Sequence, residues 1–419
     1  MAFSRAAAGA VEPGAGGLRE GVWQRLEAVA DPRSRQGRIY PLPCLVAVAV
    51  CALTAAGHDH LSSLGQWVAR ASQEDLARLR VPADPLTGVR PVPDESTVRR
   101  LLARIDPRVL ARALLGPRPR TRSRRVSGGP SRGTRADRTR RAAAQGAGRG
   151  VAAGAGRGRA GRPAVAVDGK TSRGARRRDG TRVHLLGVVD HDGGHLVDHV
   201  EVDVKSNETT AFQPLLTGLD LTGVTVTFDA MHSVRANLDW LVGTKGAHYL
   251  AVIKKNQPTL YAQLRALPWA DVPTGDLTRD HGHGRDETRT LKVATVTGLD
   301  FPRARQAVKI TRWRKQKGRP ASRETVYAVT DHTADHTGPT DLARLARQHW
   351  HIEVKVHYVR DVSFGEDANT TRTGHAPANL ATVRSAIINT LREAGYPFMP
   401  EGRRDHTTPA EALQLHGFD

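Results

Sequence analysis

From Pro117 to Arg162 the chain carries fourteen arginines, one aspartate, no lysine or glutamate and almost no large apolar side chain. Neither a period of 2 nor one of 3.6 runs through the segment. It cannot bury enough surface to offset the entropy of ordering, so 117–162 is expected to be a disordered Arg/Gly/Ala-rich linker. Any folded core must then come from the stretches on either side. The segment also holds +13 of the formal net charge of +21, leaving +8 for everything else. A polyanionic partner is indicated, nucleic acid first among them, but less strongly than the total charge suggests.

Residues 1–22 are small and Gly-rich and are expected to be flexible. The pattern from 23 to 116 is helical. Helices are expected over Val22–Ala30, Leu42–Ala56, His60–Arg70 and Gln73–Leu79, and over Glu95–Leu115 as two pieces broken at Asp106-Pro107. This predicts a small all-α domain. Its run Leu42–Ala56 is well short of the roughly 20 residues of a membrane helix and reads as a core helix. No secretory signal opens the chain. Cys44 and Cys51 fall on one face of that helix and read as buried thiols of a reducing cytoplasm, so a cytoplasmic protein, on the nucleoid if it binds DNA, is expected.

Past the linker the pattern turns to strands. AVAVDGK from Ala164 is a short buried strand, and VHLLGVVDHDGGHLVDHVEVD is a hairpin around Asp-Gly-Gly. A helix over Thr209–Leu219, the strand GVTVTFDA, a helix over Val234–Leu241, the strand AHYLAVIKK and a helix over Thr259–Leu267 follow. A polar passage, 271–322, contains alternating strands in TRTLKVATVTG and QAVKITRWR and reads as a strand-rich insertion. ETVYAVTD is a further strand, and Asp341–Val362 reads as one long helix. The whole describes an α/β domain with a mixed sheet over 163–400, with 401–419 left as a C-terminal tail.

Asp168 and Asp229 each follow a buried strand, at the sheet edge where α/β folds place their sites. Hard carboxylates of this kind suit Mg²⁺ or Mn²⁺; the ordinary alternative for each is a turn or helix cap. On the long helix His349, Glu353, His357 and Arg360 are spaced 4, 4 and 3 apart, beside an apolar stripe of Leu345, Ile352, Val356 and Val359. Glu353 would then face the strand ends, although a solvated Glu–His pair has the same spacing. Lys170, Lys254, Lys255, Asn256, Arg285 and Arg289 are candidates for phosphate contacts. Trp313, between cations, suits either base stacking or strand packing, and Trp350 reads as a core anchor. His281 and His283 lack a third ligand at metal spacing and read as a polar loop. There is no Walker loop, no dinucleotide fingerprint and no evident Ser or Cys nucleophile constellation.

In order along the chain, VDGK, DVKSNETTAFQPLLTGLDL, VTFDAMH, HYLAVIKKNQ, HGRDETR and HWHIEVKVHYVRDVSFGEDANTTRTG resemble the ISAs-type DDE insertion-sequence transposases, relatives of the H-repeat-associated proteins. The resemblance covers about 163–395, and DPRSRQGRIYPL with DESTVRRLLARID resembles that family's associated N-terminal domain. It implies a ribonuclease-H-like sheet and a DDE triad of Asp168, Asp229 and Glu353 holding two Mg²⁺ or Mn²⁺ ions. It also implies DNA strand cleavage and strand transfer on double-stranded transposon ends and target, by a homodimer with no membrane involvement. His349 and Arg360 stand where the broader superfamily has Arg and Lys, and would grip phosphate; Ala346 replaces its Tyr, and Val354 an Asn. The segment 117–162 has no counterpart in the resemblance. A nuclease that cuts without joining, and a DNA-binding remnant without catalysis, are the competing readings.

Overall fold

The computed structural model describes residues 21–36, 38–116, 162–177, 179–202, 208–229, 234–282 and 284–418. The expectations of a disordered linker up to Gly161, of a flexible start up to Glu20, and for His283 lie outside these residues.

The N-terminal block holds six α-helices: α1 (Val22–Glu27), α2 (Leu42–Thr54), α3 (Leu64–Val68), α4 (Gln73–Arg78), α5 (Glu95–Leu102) and α6 (Pro107–Leu115). Local chemistry sets their starts. Ser72 and Asp75 form a reciprocal capping box on α4, Asp94 caps α5, and Asp106 caps α6 with Pro107 in the first turn. That cap and that proline are why the run from Glu95 to Leu115 splits in two. Helix α2 is apolar all round and buried all round, and therefore lies at the centre of its bundle.

One sheet of nine strands follows, in the order β3-β2-β1-β4-β5-β9-β8-β7-β6. Strands β1 (Ala164–Arg176), β2 (Arg182–Asp190) and β3 (Leu196–Glu201) are antiparallel neighbours. Strands β4 (Thr225–Phe228) and β5 (His248–Ile253) run parallel to β1. Antiparallel β9 (Ser322–Thr330), β8 (Gln306–Gln316), β7 (Arg285–Thr295) and β6 (Thr274–Gly282) complete it. The passage 271–322 is thus not set apart from the sheet: β6, β7 and β8 extend it through β9. Strand β6 was not expected, because its exposed polar sequence lacks an apolar face.

Helices α7 (Glu208–Leu216), α8 (Arg235–Gly243) and α9 (Pro258–Ala266) cover one face, over a core that includes Phe212, Phe228, Leu238 and Tyr249. The other face carries α10 (Pro339–Gln348), a π-helical segment (Ile352–His357), α11 (Tyr358–Phe364) and α12 (Ala376–Glu393). The single long helix expected over Asp341–Val362 is therefore three successive pieces. Helices α13 (Met399–Asp405) and α14 (Pro409–His416) end the described chain.

Helix α12 joins the two halves. Leu45 and Leu101 of the N-terminal helices share one apolar cluster with Leu380 and Ile387 of α12 and with Ala166 and Val189 of the sheet. Several of its buried polar groups are bonded from both sides. Asn379 Nδ2 donates to the carbonyls of Leu102 and Ile105, at 2.7 and 2.9 Å. Asn389 pairs with both backbone groups of Leu196 on the edge strand β3. Of the segment 401–419, expected as a tail, residues 401–418 are described; they are mostly helical and packed against the N-terminal block. Phe418 lies edge-on to Trp23 with ring centroids 5.0 Å apart, and His416 Nε2 is 2.8 Å from Thr54 Oγ1. Because Phe418 is 1% exposed, Phe418→Ala should cost about 3–5 kcal/mol, read as a lower urea midpoint for the N-terminal helices.

Candidate active site

Pairing between β1 and β4 stops at Val167 opposite Phe228, while β1 continues against β2 through Asp168 opposite Gly187 to Thr171 opposite His184. Asp168 thus lies inside a long strand rather than at its end, and Asp229 lies just beyond the end of the neighbouring β4. The two carboxylates leave adjacent strands at one edge of the sheet. Gly169 leaves room there for two side chains: a Cβ would come within 2.4 Å of Glu208 Oε1 and 2.7 Å of His184 Nε2, and both would have to shift. Those two side chains pair at 2.7 Å.

Glu353 reaches this edge from the π segment. The wider winding of a π-helix, often found at functional sites, shifts the side-chain rows that an α-helix would give. Glu353 keeps 52% of its side chain exposed, while His357 keeps 5%. His357 Nδ1 lies 2.9 Å from Glu353 Oε2 and 3.9 Å from Asp168 Oδ2. One donor atom each from Asp168, Glu353 and His357 falls within 4.8 Å of the others.

The electrostatics follow from this packing. Burial pushes the Asp168 carboxyl above the usual carboxylate range; His357 and the Gly169 N–H pull it back, and Asp229 and Glu208 push it further up. Glu353 is held below its ordinary value, first by its hydrogen bond with His357. Asp229 is ion-paired with Lys254, which follows β5. The residues offer what a divalent ion needs: converging hard oxygens, one nitrogen, and mutual repulsion between carboxylates that a cation would relieve.

Several expected DNA contacts are placed elsewhere. Lys170 is buried and donates to Asp361 Oδ2 at 2.7 Å. His349, 8% exposed, sits against Thr227 Oγ1, which also meets His191 Nε2. Arg360, 2% exposed, is paired with Glu366. All three side chains are thus buried and turned away from a phosphate. Trp350, expected in the core, is 62% exposed and continues into Val354, Tyr358 and Val362 on the open side of the helix. Lys254, Lys255, Asn256 and Arg285 are exposed, and Arg289 is half-buried beside Glu287. Trp313 is 38% exposed on β8.

Strand pairing shows where Arg285, Arg289 and Trp313 stand. Ile253, the last residue of β5, faces Tyr327, and β9 continues outward to Ser322. Five residues of β9, roughly 16 Å of strand, overhang the edge from which Lys254 and Asp229 project. Trp313 lies opposite Arg323 in that overhang.

The Transposase DDE domain family matches residues 159–390, and the DDE_Tnp_1-associated family matches 23–116. The chain belongs to the DDE transposases. It is 31% identical over 245 residues to "Putative transposase YncI" of Escherichia coli O157:H7, covering 55% of this chain and 62% of that one. It is 29% identical over 246 residues to "H repeat-associated putative transposase YhhI" of Escherichia coli strain K12, covering 54% and 63%. The chain thus spans about six-tenths of the length of these relatives. A piggyBac transposase synaptic complex with hairpin DNA superposes on 91% of this chain and 82% of its own, with a TM-score of 0.38 and 9% identity, too loose a likeness to define the fold. No described helix is long and apolar enough to cross a membrane.

Three features of this transposase's site escaped the sequence. Glu208 and His184 lie beside Asp168, and His357 faces two carboxylates rather than one. The i,i+4 spacing of Glu353 and His357 was the available signal for the last; His184 depends on strand register and Glu208 on where α7 packs.

Behind the site, Glu366 is 3% exposed, accepts 2.5 and 2.7 Å bonds from Arg360, and lies 3.5 Å from Arg384. Burial alone would raise its carboxyl, but the charge and hydrogen bonds of Arg360, then Arg384, outweigh it and bring it from 4.5 down to about 2. A depressed folded-state value stabilises the protein above pH 4.5, and that stability is lost as pH falls toward 2. The shift corresponds to about 3 kcal/mol. Urea unfolding of the wild type should weaken across that window, and Glu366→Gln should be less stable at pH 7 with a flatter acid limb.

Proposed function

We propose that this chain is the transposase of an insertion sequence, cutting and rejoining double-stranded DNA with Asp168, Asp229 and Glu353. The observation that carries the reading is the meeting of Asp168 and Glu353, far apart in sequence, at one sheet edge beside the strand end bearing Asp229. The order β3-β2-β1-β4-β5, antiparallel then parallel, supports a ribonuclease-H-like fold for the catalytic unit, 163–400, with the helical unit 23–116 docked on it.

Cleavage is attack by water on a phosphodiester, breaking the bond to the 3′ oxygen; joining repeats the attack with that 3′-hydroxyl on target DNA. Asp168, Asp229 and Glu353 would hold two Mg²⁺ or Mn²⁺ ions, which when bound activate the nucleophile and stabilise the leaving oxygen. Asp168 presents its carboxylate from a rigid strand and Glu353 from a helix end open to solvent, so a phosphate can approach between them. Lys254 would exchange its contact with Asp229 for one with the DNA backbone. Lys255, Asn256, Arg285 and Trp313, exposed near or beyond the same edge, are the remaining proposed DNA contacts. Bringing two transposon ends together calls for a homodimer.

The test uses duplex DNA carrying the element's own ends, with Mg²⁺. Asp168→Asn, Asp229→Asn and Glu353→Gln should each lower both cleavage and joining roughly 10³-fold or more while circular dichroism stays unchanged. Cleavage without joined product in the wild type would point to a nuclease instead, and equal background in all four proteins would remove the catalytic reading.

A further inference from the structure

We propose that His357 is a direct nitrogen ligand of the divalent ion held by Asp168 and Glu353, making this a mixed nitrogen and oxygen site that prefers Mn²⁺ to Mg²⁺. The inference rests on the metal-dependent reading above and goes beyond its three carboxylates.

The spacing that gives a hydrogen bond between His357 and Glu353 also fits two donors of one ion. Donors about 2.1 Å from an octahedral ion stand about 3.0 Å apart when adjacent and about 4.2 Å apart when opposite. His357 Nδ1 lies 2.9 Å from Glu353 Oε2 and 3.9 Å from Asp168 Oδ2. The same nitrogen therefore faces both carboxylates, where a partner serving Glu353 alone would face one. His357 is 4% exposed, so its ring cannot swing away into solvent. Glu353 and His357 both lie in the π segment, and their side chains meet there. The nearby cation Lys170 is engaged elsewhere, at 2.7 Å from Asp361, and leaves the space between the carboxylates to an ion. Imidazole suits later first-row divalent ions better than Mg²⁺, which favours oxygen and water.

The test loads the full chain with Mn²⁺ and records electron spin-echo modulation, which detects nitrogen bound to the ion. The expected result is a ¹⁴N coupling that vanishes in His357→Gln while Mn²⁺ still binds, roughly tenfold more weakly, with a smaller change for Mg²⁺. His357→Asn serves if the first variant does not fold, and the wild-type spectrum needs no variant. Mn²⁺ bound without ¹⁴N coupling, or with a coupling that persists in a folded His357 variant, overturns the assignment and leaves the carboxylate site standing. Failure of Asp168→Asn to reduce Mn²⁺ binding overturns the carboxylate site itself, and His357 with it.

Discussion

A single buried carboxylate, Glu366, holds the parts of this molecule in register. It is bonded by Arg360 of the glutamate-bearing helix and by Ser172 of β1, and faces Arg384 of α12. Arg384 in turn donates to the Asp59 carbonyl, and Arg403 reaches the Asp59 carboxylate and the carbonyls of Thr54 and Ala55 at the end of α2. Charges so deeply placed are costly unless every one is matched, and a mismatch on any side leaves an ion stranded in low dielectric. The arrangement therefore fixes β1, the Glu353 helix, α12 and the N-terminal block relative to one another.

That rigidity bears on the site because its acids come from different elements. Asp168 lies two residues before Lys170, and Glu353 lies seven before Arg360; Lys170 and Arg360 are both tied down by ion pairs behind the edge. Gly174 adds a close approach, since a Cβ there would meet the Asn369 carbonyl at 2.4 Å. The basic residues that the sequence offered as DNA contacts thus divide into two sets. Lys170 and Arg360 are paired behind the site, and His349 is bonded to Thr227 of β4. Lys254, Lys255, Asn256 and Arg285 stand outside it.

Much of this was legible beforehand. Asp-Pro broke the run before α6, Asp-Gly-Gly marked the β2–β3 turn, and the apolar runs at Val165 and Val226 marked the central strands. Asp168, Asp229 and Glu353 were picked out by position relative to those strands and by a helical spacing. Other features were hidden for physical reasons. Strand β6 is polar because it lies on an open edge, and no buried face imposes a period on it. The π segment leaves no compositional trace, so His349, Glu353 and Arg360 read as one face although only Glu353 meets solvent. Helix α12 combines apolar residues with Asn379, Thr382, Arg384 and Asn389, which look like surface until their partners are known.

The sequence by itself determined most of the elements and marked the three acids as candidates, because caps, turns and hydrophobic periods act within a few residues and a carboxylate after a buried apolar run stands out locally. Tertiary structure alone decided which charged groups stay exposed and which are buried, and that a histidine lies against two of the acids. Those outcomes depend on strand register and on ion pairs between residues distant in the chain, and no local pattern encodes either.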